Sequence, residues 1–336
     1  MTKKILDDEK FIRNVEDLID PKEVSFLYFY STFKRLLPRS LFKKLLNKTS
    51  KKTPYMGFVI EPYSLFLFFK LKNIKKAKSL LPERYELIKT QIFADEEPEY
   101  YLGMGIFNTR ASTFWGSRLE SYLITKDKET GHKSWIFIDI LSNTIIAIPS
   151  LGVADRNSKN AIYTTSSKGD IIVDFKEDAT ERQIIVNGNI TNAKMRSLDQ
   201  PLWVLGNTSI AHKKEFSDND DDPFAVIFDP AEVDKALDVP IEDMHIKVNT
   251  LFPDLAEPEL IKVLCFPFAQ HYIADSPGRR TYIKDVNDMI ENYNKIAEMK
   301  EMETFSTNNI KVMLLMGISL FMVIFVSLII LLIINL

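Results

Sequence analysis

A single cysteine, Cys265, and four histidines are all that this 336-residue chain offers to a disulfide framework or a soft-metal site. One thiol cannot close an internal disulfide, which fits a reducing compartment. His132, His212, His245 and His271 are scattered without metal-ligand spacing, so neither a metal nor a cofactor is expected. An excess of one charge is missing too. The 43 Lys and Arg stand against 46 Asp and Glu, a net charge of −3, which gives no bulk affinity for nucleic acid. There is no internal repeat, no G-x-S-x-G elbow and no Cys–His pairing. The opening MTKKILDDEKFIRNVEDLID is charged and lacks the apolar core of a signal peptide.

Charge is also absent from Val312 to Leu336, which reads VMLLMGISLFMVIFVSLIILLIINL. As a helix this stretch is roughly 37 Å long, enough to cross a ~30 Å hydrocarbon core with some tilt. A helix satisfies its own backbone hydrogen bonds in lipid. The expectation is a single-pass membrane protein with a tail anchor, whose one certain partner is the lipid bilayer. Lys295, Lys300 and Lys311 precede the span and nothing positive follows it, so the large N-terminal part is expected in the cytoplasm. The glycosylation-like sites at Asn47, Asn189 and Asn207 are then chance matches. Gly317 and Ser319 are small, but no Gly-x-x-x-Gly face supports a dimer.

What is present begins with a basic stretch. Lys34 to Lys52 reads KRLLPRSLFKKLLNKTSKK, with eight Lys or Arg and no acid. Leu37, Leu41, Leu45 and the pair Phe42/Leu46 recur at helical spacing, and Pro38 suits the first turn. Lys34, Arg35, Arg39, Lys43, Lys44 and Lys48 are candidate membrane-surface residues for an anionic lipid leaflet, each contributing about 1 kcal/mol. An ordinary surface helix with its leucines on the domain is the alternative. Upstream, Glu23 to Phe33 (EVSFLYFYSTF) is apolar but too short to span, and is expected to pack on the domain as a helix. In the acidic loop, Asp218, Asp220 and Asp222 are spaced as at the start of a calcium loop, but Pro223 stands where that loop needs glycine. A solvated loop is expected there.

From Tyr55 to about Phe175 short apolar stretches such as GFVI, SLFLFFKL, YYLGMGIF, LESYLIT, SWIFIDI and DIIVDF alternate with turn chemistry. Thr130-Gly131, Ser142-Asn143 and Lys168-Gly169-Asp170 read as hairpin turns, and Asn187-Gly188 as a turn within ERQIIVNGNIT. Two later strands are expected in EDMHIKVNTLF and LIKVLCFPFA. Gly103-Met-Gly105 hints at a phosphate loop but lacks a third glycine and a following helix. Asp285 to Met302 reads as a helix, with Val286, Met289, Ile290, Tyr293 and Ala297 on one face, running into the span as a continuous rod. The expected fold class is α+β and β-rich antiparallel. Its parts are a helical, partly basic region 1–52, a globular domain 53–284, a juxtamembrane helix 285–310 and a transmembrane segment 311–336.

One ordered stretch carries a resemblance. Gly116-Ser-Arg118-Leu-Glu120-Ser-Tyr122 leads into a strand, then Gly131, SWIFIDILSNTIIA, a loop with Lys159, and NAIYTTSSKGDIIVDF. FDPAEVDKALDVPIEDMHIKVNTLFPDL follows further on. This order resembles the acetoacetate decarboxylase-like superfamily over roughly residues 55 to 275. The resemblance implies a β-barrel or cone, with Glu120 at the family's strand glutamate and Lys159 near its reactive lysine. Schiff-base chemistry needs a lysine desolvated or set beside another cation. Here the Gly-Phe-Pro-Lys loop is missing, SLGVADRNSKN stands in its place, and Asn160 replaces the neighbouring lysine. A close Asp155 would raise the amine's pKa and quench it. Arg118 and Glu120 share a strand face at i, i+2 and could pair. The expected function is therefore binding, through Arg118 and Glu120, of a small organic acid, a lipid-like ligand or a protein partner, without catalysis. The rivals are a lyase using Lys159 and Glu120, and a structural membrane adaptor.

Overall fold

Strand β4 of the computed structural model is flanked on one edge by two different strands, and this junction organises the domain. The structure describes residues 8–33, 55–148, 152–154, 157–207, 211–212, 225–275 and 283–334. The first strands are β1 (Met56–Ile60), β2 (Ser64–Leu71), β3 (Tyr85–Leu87), β4 (Tyr101–Ala111), β5 (Trp115–Asp127) and β6 (Lys133–Ser142). Next come β7 (Ile146–Ile148), β8 (Gly152–Ala154), β9 (Asn160–Thr165), β10 (Asp170–Lys176), β11 (Gln183–Asn189) and β12 (Lys194–Ser197). The last are β13 (Ala211–His212), β14 (Ala225–Ile227), β15 (Lys235–Asp238), β16 (Met244–Asn249), β17 (Ala256–Phe266) and β18 (Gln270–Asp275). The helices are α1 (Asp8–Asp17), α2 (Pro21–Phe33), α3 (Ile74–Ser79), α4 (Val286–Ala297) and α5 (Asn308–Ile334).

A 12-stranded, largely antiparallel sheet runs β12-β15-β17-β2-β4-β1-β18-β14, and from the other edge of β4 through β5 to β6. β2 pairs with the first half of β4 and β1 with its end. The apolar run SLFLFFKL makes sense in that position. Leu65, Leu67 and Phe69 point into one core, and Phe66 and Phe68 into the other, so β2 has no face for water. The first core is capped by a four-stranded sheet, β16-β11-β10-β9. β10 alternates there, with Ile171, Val173 and Phe175 buried and Ile172 exposed. The second core is covered by α1, α4 and a turn carrying Leu202, Trp203 and Val204. The molecule is α+β as expected. Among the described residues, however, no closed barrel forms: the sheet branches at β4 and at β5, and ends on β3, β12, β13 and β14.

Two of the four expected turns form. Gly131 (φ +77°) turns β5 into β6, and Gly169 (φ +81°) turns β9 into β10, a left-handed backbone that favours glycine. Ser142-Asn143 makes no hairpin, since β7 pairs with β8 and not with β6. Asn187-Gly188 lies inside β11, where a Cβ on Gly188 would fall 2.1 Å from the Met244 sulfur. That glycine makes room for a side chain instead of turning the chain. The helix near residue 285 ends at Ala297, capped at its start by Asp285, and residues 298–307 are not helical, so no continuous rod leads into α5. Helix α1 lies within the region 1–52 expected to be helical. It is seated through Phe11 stacked on Tyr293 (4.0 Å), a two-bond Arg110–Glu16 pair (2.9 and 3.0 Å) and the backbone of Val15 on β1.

α5 is 27 residues long, apolar, and its most apolar window is 0% buried in protein, so it is long and apolar enough to cross a membrane. At its foot the Glu23 carboxylate of α2 accepts from the Thr307 N–H (2.6 Å), from the Thr307 hydroxyl and from Lys311 Nζ (2.6 Å). Burial pushes the Glu23 pKa up, but Lys311 and Thr307 outweigh it and hold it below the ordinary value.

The seating of α1 is testable at Gly57, where a Cβ would lie 2.5 Å from the Val15 carbonyl oxygen and 3.0 Å from Leu18 Cβ. Gly57→Ala is expected to cost about 1–3 kcal/mol, as overpacking does, measured by urea unfolding of the solubilised chain. An unchanged midpoint would mean that α1 does not press on β1.

Candidate functional site

β5 carries Arg118, Glu120 and Tyr122 on the face that looks toward the helices. Their neighbours across β4 are Phe107, Gly105 and Gly103, and across β6 they are Ser142, Ile140 and Phe137. The two glycines lie inside strand β4 and form no phosphate loop. A Cβ at Gly103 would stand 3.1 Å from Phe68 and 3.4 Å from Trp135, and one at Gly105 would stand 3.0 Å from Phe66. Without those side chains the aromatic rings lie down on β4 and floor the region beside Glu120 and Tyr122.

Arg118 and Glu120 are 8% and 6% exposed, and they pair at 2.8 Å between Nη2 and Oε1. The Tyr122 hydroxyl donates to the other carboxylate oxygen. Burial raises the Glu120 pKa, and Arg118 and Tyr122 reverse only part of that rise. Burial, and then Glu120, push the Tyr122 phenol well above its ordinary value, so it stays a donor. The Arg118 guanidinium also lies 4.3 Å from the Phe114 ring centre.

The hydrogen-bond ledger does not close at this place. Arg118 Nε, Trp115 Nε1 and Thr113 Oγ1 are buried without a partner. Each such group costs about 1–3 kcal/mol, and native folds carry few of them. All three belong to residues 113–118, where β4 turns into β5. The Tyr28 hydroxyl of α2 donates to the Trp115 carbonyl at 3.1 Å, so this end of the sheet is the end nearest α2 and the foot of α5. The arrangement can hold a polar head against an aromatic floor through donors not already spent.

Lys159 is not part of it. The residue is exposed in the loop before β9, its backbone N–H donates to Asp178 Oδ1 at 3.0 Å, and the groups acting on Glu120 are Arg118 and Tyr122. An exposed lysine lacks the desolvation that a Schiff-base nucleophile requires. The basic candidates Lys34, Arg35, Arg39, Lys43, Lys44 and Lys48, and the acidic loop 217–223, lie outside the described residues. Tyr122 was legible in the sequence as the next residue of the 118/120 face. Thr113 and Trp115 carry no sequence signal, because their importance lies in bonds they do not make.

Two other places lie apart from this face. Glu232 accepts from the His271 backbone N–H (2.7 Å) and faces His271 Nδ1 at 3.0 Å, tying the turn Pro230–Val233 to β18. Burial raises its pKa, and His271 only partly reverses this. A cleft of ≈ 180 Å³ lies on the opposite face of the sheet, lined by Phe69, Leu102, Met104, Phe252, Lys72 and Glu257, away from Glu120. Among the described residues no group of three His, Cys, Asp or Glu could hold a metal.

No protein-family model and no curated protein matches this chain. Among solved structures, an acetoacetate decarboxylase from Legionella pneumophila is similar to it in fold, with a TM-score of 0.43 and 11% identity over 67% of this chain and 86% of that one. The likeness is loose and concerns the fold alone.

The buried pair predicts a clear mutational pattern. Arg118→Met leaves Glu120 without its cation and is expected to cost about 3–5 kcal/mol, while adding Glu120→Gln should recover at least ~2 kcal/mol of it. The pH sign follows from a carboxyl whose folded pKa is raised. Its contribution is fully present below the unfolded value of about 4.3 and is lost as pH rises through the higher folded value. The Arg118→Met variant should therefore lose stability more steeply than the parent above that point, as read by urea midpoints across pH. Equal slopes would show that Glu120 does not feel Arg118.

Proposed function

We propose that this chain is a membrane protein held by α5, with its β-rich domain on the cytoplasmic face. There the Arg118–Glu120–Tyr122 face binds a small organic acid, a lipid-like ligand or a protein partner without chemical turnover. The observation that carries this is the set of buried polar atoms without partners, Arg118 Nε, Trp115 Nε1 and Thr113 Oγ1, at the end of the sheet beside α2 and the foot of α5. A ligand with an anionic head would satisfy donors that the fold leaves open, and the aromatic rings beside them would suit an apolar tail. Arg118 and Glu120 are the ligand-contacting residues in this proposal. Lys34, Arg35, Arg39, Lys43, Lys44 and Lys48 add attraction to anionic lipid by their charge. Turnover through Lys159 is left out because that residue is exposed. The expected side of the membrane follows from Lys295, Lys300 and Lys311 before the span.

Two measurements test it. The full chain should stay with membranes through alkaline carbonate extraction, and a tag at Met1 should resist protease added outside intact cells. Release into the supernatant, or loss of the tag, ends the anchoring proposal. With the chain in nanodiscs, decanoate should produce a saturable change in tryptophan fluorescence, weakened at least tenfold by Arg118→Met combined with Glu120→Gln. An equal response in that variant would remove the ligand from this face. A borohydride-trapped adduct of a β-keto acid on Lys159 would favour the lyase instead.

A further inference from the structure

The contact between α2 and α5 extends beyond the polar foot of the apolar helix. Leu314 is the third residue of the charge-free run, and it packs against the cluster formed by Leu27, Tyr30, Ile145, Phe305 and Ile310. Its neighbours Val312, Met313 and Leu315 are 54%, 46% and 63% exposed, so protein covers only one side of α5 at that height. If α5 spans a bilayer, its hydrocarbon slab begins near these residues, and α2 is packed at the same level. A surface at that depth meets neither bulk water nor pure hydrocarbon.

The composition of α2 fits this level. Phe29 is 52% exposed and Phe26 half-buried, while Tyr30 is buried in the cluster and the Tyr28 hydroxyl is bonded to the Trp115 carbonyl. Phenylalanine is among the residues that interfacial helices bury at the boundary between headgroups and acyl chains. The seat is fixed by Glu23, which holds Thr307 and Lys311, with Lys311 Nζ 5.1 Å from the Phe26 ring centre. Lys311 is the last charge before the run, and its pairing lets it stay at the edge of the slab without an unpaired cation.

We infer that α2 is an interfacial helix: its aromatic surface beside Lys311 and Leu314 docks into the headgroup–acyl boundary of the bilayer, seating the domain on the membrane instead of leaving it on a tether. The occupant of that surface is lipid, because it is continuous with the exposed apolar surface of α5 and lies at the height where that surface starts. This rests on the proposed membrane span, and the experiment separates the two.

The full chain with Cys265→Ala, reconstituted in phosphatidylcholine/phosphatidylglycerol liposomes, receives a nitroxide at Phe29→Cys, at Val326→Cys in α5, or at Ile172→Cys on the exposed face of β10. Collision rates with oxygen and with a water-soluble nickel chelate report depth. Val326 should read as hydrocarbon, Ile172 as water, and Phe29 as the boundary between them, at least threefold less accessible to nickel than Ile172. Ser25→Cys, exposed one turn earlier on the same helix, gives the same test should the Phe29 variant misfold. Glu23→Gln should raise nickel access at position 29 toward the Ile172 value. If Val326 is deep while positions 29 and 25 read as water, the inference fails and the span stands. If Val326 also reads as water, both fail.

Discussion

Burial on both faces of the large sheet is the constraint on which the rest depends. β2 and the first half of β4 have no solvent face, so each needs a covering layer on either side. One layer is the small four-stranded sheet. The other is assembled from opposite parts of the chain, α1 and α4, together with the turn around Trp203. Placing Arg118 and Glu120 inside this sandwich is expensive unless they meet each other. They do, and Tyr122 closes the second carboxylate oxygen. Three of the polar atoms that stay open, on Thr113, Trp115 and Arg118, gather at the β4–β5 turn beside α2, while Ser121 Oγ and Ser134 Oγ stay open elsewhere on β5 and β6.

Much of this architecture was legible in residues. The alternation in DIIVDFK and the two-faced run SLFLFFKL announced strands, and their difference distinguishes a sheet with one buried face from one with two. Arg118 and Glu120 share a face by parity alone. The failures have physical causes. Asn187-Gly188 has turn chemistry, but the glycine answers a packing demand from Met244, 56 residues further along the chain and invisible to local pattern. Ser142-Asn143 lies between two strands that do not pair with each other. The barrel was an expectation from resemblance, and nothing in strand periodicity distinguishes a closed sheet from one that branches at β4. α1 is short and charged, and only the stacking of Phe11 on Tyr293 shows why it is there.

The polar clamp at the foot of α5 and the open donors near Trp115 belong to one neighbourhood. Tyr28 touches the carbonyl of Trp115, while Glu23, one and a half turns earlier on the same helix, holds Thr307 and Lys311. α2 therefore couples the position of the apolar helix to the shape of the sheet end. A ligand at that end and lipid beneath it would share the same supporting element.

One consequence concerns how the protein is made. Asn14 reaches Ile296 across 282 positions and Glu23 reaches Thr307 across 284. During synthesis α1 and α2 emerge 282 and 284 residues before the segments that seat them, and their apolar sides stay uncovered until then. Contacts of such long loop closure form late and leave greasy surface exposed meanwhile. Nascent molecules would rely on chaperones until α4 and the foot of α5 have been translated.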